Sequence, residues 1–182
     1  RFGGVVRYSK IVGLIDDSND AINRNVSSIR MRKNLTIVPE TLASYEICFE
    51  NEVELDFVNP VMSTTGFYIE GSEEIHYMEN TVPSCTDDRE EIIMYVKLYY
   101  LDEKNIKVLV DPEFGTLNFS NGEVMFGIEK PVNITGTVLR DDTIMIRLKP
   151  HNNGQYIESK GSVYMEFDVA TSEIEAVVDR SA

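Results

Sequence analysis

Only two imidazoles, His76 and His151, could serve as general bases in this 182-residue chain, and seventy-four residues separate them. Proton transfer near neutral pH needs a titratable group held against a nucleophile or a second acid, and neither histidine has such a neighbour in sequence. His76 lies in Glu74-Ile75-His76-Tyr77-Met78, read as a strand with the imidazole on its polar face; His151 follows Pro150 in a loop with Asn152, Asn153 and Gly154. Both are expected to be ordinary solvent-exposed side chains. Thirty-one acidic residues make some close carboxylate pair of the glycosidase kind inevitable, yet none stands out by context. The sequence has no glycine-rich phosphate loop and no nucleophile elbow. With no Trp, the commonest sugar-stacking platform is missing too, leaving nine Tyr as substitutes. No catalytic residue is assigned, and a hydrolase built on an acidic pair is the weakest reading.

Cys48 and Cys85 lack the close pairing and the further ligands of a zinc site. An even cysteine count in a chain with signs of export predicts a disulfide between them, closing a loop of 36 intervening residues. Such a link is worth about 3–4 kcal/mol if it acts by restricting the unfolded chain. Four glycosylation sequons, at Asn25, Asn34, Asn118 and Asn133, are a modest excess over chance and agree with that reading. Asp16-Asp17-Ser18-Asn19-Asp20 imitates the start of a calcium loop, but Ala21 replaces the turn glycine and Ser27 the bidentate Glu. Thr86-Asp87-Asp88-Arg89-Glu90-Glu91 offers several oxygens to a hard cation but reads as a solvated loop before a strand. No metal site and no cofactor are assigned.

The elements that must position these residues divide at Lys33. Val5, Tyr8, Val12, Ile15, Ile22, Val26 and Ile29 recur at steps of mostly three or four residues, which predicts one apolar seam along an amphipathic helix over 1–33. From Val5 to Ile29 that helix would run roughly 38 Å at about 1.5 Å per residue. The seam serves either packing against its own domain or helix-to-helix assembly. Residues 34–182 alternate in short strands and predict an antiparallel β-sandwich head, immunoglobulin-like or jelly-roll-like. Four hairpins are expected: Tyr45–Phe49 returning through Glu50-Asn51-Glu52 to Val53–Phe57; Ile92–Tyr100 with Ile106–Val110; Val132–Leu139 with Ile144–Leu148; and Val163–Val169 with Ile174–Val178. A tight turn at Ser120-Asn121-Gly122 joins two further strands, because Asn and Gly tolerate positive φ. Pro112 and Pro150 are candidate boundaries of sub-sheets.

A hydrophobic content of 42 % supports a real core, and a formal charge of −14 repels phosphate backbones and anionic lipid, so nucleic acid is not the expected partner. No apolar run approaches the roughly 20 residues that cross a bilayer. The chain starts at Arg1 without Met and is therefore expected to come from something longer. A membrane anchor is expected only through a segment preceding Arg1, for which the basic, glycine-bearing start (Arg1, Gly3, Gly4, Arg7) is suited.

With Arg1–Arg32 as an amphipathic continuation, followed by the basic step Arg30-Met31-Arg32-Lys33 and Pro39-Glu40, the chain resembles the extracellular part of archaeal exported proteins of the type IV pilin-like, class III signal peptide group. The resemblance implies a helix that builds a filament core or membrane anchor and a β head that faces outward. The expected function is then a non-enzymatic cell-surface or extracellular filament or adhesion subunit, with protein partners and self-association first. The alternative is a secreted viral or host-facing glycoprotein ectodomain that binds a protein ligand, its acidic surface steering a basic partner.

Overall fold

In the computed structural model the described residues are 5–19, 22–83, 92–151, 157–158, 163–169 and 172–176. They form a mainly β fold with one N-terminal helix, α1 (Tyr8–Asp16). The expected long helix is therefore corrected to nine residues. Its end has a local cause: Asp16 and Asp17 place negative charge at the negative pole of the helix, no basic residue stands in the last turn, and the Ser18 hydroxyl donates to the Ile15 carbonyl at 2.6 Å. The rest of the seam folds as strands. Val5 lies in β1 (Val5–Val6), Ile22 and Val26 in β2 (Ile22–Val26), and Ile29 in β3 (Ile29–Thr36). In β3 the run Ile29-Arg30-Met31-Arg32 alternates buried and half-exposed, a period of two that a three-to-four spacing had absorbed.

The larger sheet has eight strands in the order β4 (Leu42–Ala43), β12 (Val132–Thr137), β7 (Phe67–Ile69), β8 (His76–Asn80), β9 (Ile93–Leu101), β10 (Lys107–Asn118), β11 (Glu123–Phe126) and β5 (Tyr45–Cys48). Its two outermost strands, β4 and β5, are one stretch of chain interrupted only at Ser44, so the sheet is nearly closed into a barrel. The second sheet has the order β15 (Tyr164–Phe167), β3, β13 (Thr143–Leu148) and β6 (Met62–Thr64). All pairings in both are antiparallel. Two short ribbons complete the described fold, β1 with β14 (Ile157–Glu158) and β2 with β16 (Glu173–Ala176).

Two segments cross between the sheets. Residues 62–69 run from β6 into β7, and 132–148 from β12 into β13, and these segments pair with each other on both sides of the corner. Where the ladders part, side chains splice the sheets. The buried Asn80 carbonyl accepts from Val61 N (2.8 Å) and Met62 N (2.9 Å), Thr64 Oγ1 accepts from Met78 N (2.9 Å), and Thr65 Oγ1 accepts from Met145 N (2.9 Å). Phe49, Phe67, Phe126, Met31 and Met62 are among the largest fully buried side chains of one continuous core, and Tyr8 and Ile11 of α1 pack against it.

Two turns match expectation. β9 returns as β10 through Asp102–Ile106, and β10 returns as β11 through Ser120-Asn121-Gly122, where Gly122 has φ +69°. Pro112 lies inside β10, within its second register shift between Asp111 and Gly115, and not at a sheet boundary. The other three hairpins are corrected. Tyr45–Cys48 pairs with β11, while Phe49, Asn51 and Val53 donate their amides to Gly122, Asn121 and Phe119, so that stretch follows the neighbouring turn and does not double back. β12 and β13 belong to different sheets. β15 and β16 pair with β3 and β2, held at the crossing by Asp168 N to Ser28 O (2.8 Å) and Ser28 N to Ser172 Oγ (2.9 Å).

Candidate functional site

On β3 the side chains opposite the core-facing Ile29 and Met31 are Arg30 and Arg32, and on β13 the matching position is Arg147, directly across from Arg32 in register. Like charges in that position repel. One carboxylate bridges them: Glu166 of β15 accepts from Arg147 Nε at 2.8 Å and from Arg32 Nη1 at 2.5 Å. Burial opposes the Glu166 charge, but the hydrogen bonds and charges of Arg147 and Arg32 outweigh it and hold its carboxyl below the usual 4.5. Arg30 pairs with Asp168 at 2.8 Å, and the Arg32 guanidinium lies 4.8 Å from the centre of the Tyr164 ring.

The facing wall comes from the larger sheet. Glu79 of β8, itself buried, receives two ammonium groups, Lys97 at 3.1 Å and Lys107 at 2.5 Å. Lys107 also sits 4.8 Å from the centre of the Tyr99 ring, which stacks on Tyr77 at 5.7 Å. Burial, then the charge of Glu79 and the neighbouring Tyr77, push the Tyr99 phenol up to about 12, so it stays a neutral hydroxyl at physiological pH. Between the walls lies an open groove of about 410 Å³, floored by Pro60, Met62 and Ser63. A second, wider groove of about 940 Å³ adjoins it through Arg30, Pro60 and Asp168 and is lined by Glu54, Asp56, Lys149 and His151. There Lys149 pairs with Glu54 at 2.7 Å, and the amides of Asn59 and Val58 hold the Asp56 carboxyl below 3.8.

Both grooves escaped sequence reading. Their signal was present as the alternation Arg30-Met31-Arg32 and Met165-Glu166-Phe167-Asp168, two polar-out strands of opposite sign. Only the pairing of β15 with β3 brings the two runs together, across more than a hundred residues.

The residues singled out from the sequence fall elsewhere. Of the seam, Tyr8, Val12 and Ile15 share α1, half-buried, and the Tyr8 hydroxyl donates to the Ser27 carbonyl at 2.6 Å; Val5, Ile22, Val26 and Ile29 are on strands. The Cys48–Cys85 disulfide is corrected: Cys48 is a free thiol at the end of β5, its Sγ 3.6 Å from the Asn121 carbonyl, and Cys85 lies outside the described residues, as does the acidic run 86–91. Asn34 is exposed, as a sequon requires. Asn118 is buried, with its Oδ1 accepting from Ser120 N, and Asn25 and Asn133 are half-buried. His76 faces inward at 2 % exposure against Tyr100, with no partner for Nδ1, a correction to its expected place on a polar face. His151 is exposed beside Glu52 at 3.9 Å.

Among the described residues no three His, Cys, Asp or Glu side chains converge as a metal site would require, and no helix is long and apolar enough to cross a membrane. No family model matches the chain, no curated protein is significantly similar to it, and no solved structure matches its fold.

Proposed function

We propose that the chain is a non-enzymatic cell-surface or extracellular subunit, of a filament or an adhesion assembly, whose β head makes protein contacts with further copies of itself. The observation that carries this reading is the β9–β10 arm. Its outer half exposes Leu101, Ile106, Leu109 and Val110, and residues 107–111 of β10 have a strand neighbour on one side only among the described residues. An apolar, half-paired strand end is a template for contact with another chain. The display of the head on a surface draws support from the exposed sequon residue Asn34. The kinship with archaeal exported pilin-like proteins now draws only on Tyr8, Val12 and Ile15 along α1. Within this reading the head is an immunoglobulin-like or jelly-roll-like sandwich, supported by the two strand segments that switch sheets at a shared corner.

Sedimentation velocity over a concentration series tests it. The chain should associate reversibly, and Leu109→Asp should shift it to monomer with an unchanged far-UV circular dichroism spectrum. A chain that stays monomeric throughout sinks the proposal. The alternative, a secreted ectodomain that binds a protein ligand, is favoured by the charged groove and predicts that monomer.

A further inference from the structure

The groove between the two sheets contains an arrangement that stability alone does not call for. Two cations share one carboxylate on each wall, Arg32 and Arg147 on Glu166, Lys97 and Lys107 on Glu79. Each triad leaves one positive charge over. The half-exposed pairs of Glu166 contribute little to folding, and the Arg32–Arg147 register opposition works against it. A chain with thirty-one acidic and only seventeen basic residues has nevertheless lined one cleft with Arg30, Arg147 and Lys107, and set Arg32 and Lys97 behind its Glu166 and Glu79. Local rules broken without a folding gain mark functional sites.

We propose that this groove binds a phosphate or sulfate ester, its tetrahedral oxyanion seated between Arg147 and Lys107. Arg147 meets Glu166 through its Nε, which leaves its two Nη groups to grip two oxygens of such a group. On the facing wall the Lys107 ammonium, held on Glu79, supplies a point charge more than half exposed, and Tyr99 lines the same groove with a neutral hydroxyl. A cleft of about 410 Å³ holds far more than one oxyanion, so the charged group is the end of a larger ligand, which Pro60 and Phe167 flank with apolar surface. The overall charge of −14 does not forbid this, since at about 0.15 M salt repulsion is screened beyond about 8 Å.

Isothermal titration of the whole chain at physiological salt, with inorganic phosphate, inorganic sulfate and glycerol 3-phosphate as probes, tests it. A single saturable site is expected, tightest for the ester, and each of Arg147→Gln and Lys107→Gln should weaken it by at least about tenfold, the loss expected for one charged hydrogen bond. Glu166 and Glu79 each keep a second cation in these variants, so both should unfold at the wild-type temperature. Lys104→Gln, in the exposed turn between β9 and β10, should bind as wild type. The absence of a saturable site, or binding that both groove variants leave unchanged, overturns the assignment. Equal affinity for the free ions and the ester would mean an adventitious ion only, and overturns it as well.

Discussion

His76 shows how one buried side chain ties stability to pH. Burial without a partner for Nδ1 lowers its pKa from the ordinary 6.5, against a weaker opposing pull from Glu74. The unfolded chain therefore takes up the proton first as pH falls. The stability that the neutral imidazole contributes is whole above 6.5 and is lost progressively below it, until the folded state titrates too. Thermal melts of the wild type and of His76→Leu between about pH 7 and about pH 5 should differ in slope, the wild type losing stability more steeply. Equal slopes would contradict the buried, neutral imidazole. Glu166 and Asp56 have the opposite sense of shift and act in a lower window: their stabilisation is present above 4.5 and 3.8 respectively and lost as pH falls through their depressed values. None of this was legible in the sequence. In Glu74-Ile75-His76-Tyr77-Met78 no strong contrast distinguishes the two faces, and only the packing of β8 turns His76 and Met78 inward while Tyr77 stacks outward on Tyr99.

At the scale of elements, turn chemistry was readable and partnership was not. Gly122 at φ +69° sits where Asn-Gly required it, and the β9–β10 and β10–β11 hairpins follow from short local loops. Strands β12, β13, β15 and β16 also fall at or near their expected places, yet each takes a distant partner, because a strand's own pattern specifies its faces and not its neighbour. The near-closure of the larger sheet depends on such a distant pairing. Phe126 of β11 is 1 % exposed, stacked at 5.1 Å on Tyr45 of β5 and at 5.6 Å on Phe114 of β10, with Gly115 leaving room across the strand. Phe126→Ala should cost about 3–5 kcal/mol in chemical denaturation, while Val58→Ala on an exposed loop should cost almost nothing. A Phe126→Ala loss as small as that of Val58→Ala would mean that the β5–β11 seam does not carry the core.

The whole molecule carries a charge of −14, so self-repulsion opposes compactness. Added salt should raise its melting temperature, because screening relieves that repulsion more than it weakens half-exposed ion pairs worth about 0–1 kcal/mol each. A melting temperature that falls with salt would instead give the groove's charge network the larger share of stability. Composition, alternation and turn residues by themselves determined that this is an acidic, core-forming, mainly antiparallel β chain with an amphipathic N-terminal segment. They could not decide where α1 stops, since Ile22, Val26 and Ile29 keep a helical spacing while Ile29 also opens the strand alternation Ile29-Arg30-Met31-Arg32; burial of Ile29 and Met31 against the core selects the strand. Nor could they join Arg30 and Arg32 to Glu166 and Asp168, or bring Glu79 and Lys107 to face them. Those encounters belong to tertiary structure, because side chains 28 to 138 positions apart meet only when separate strands pair and two sheets fold around one core.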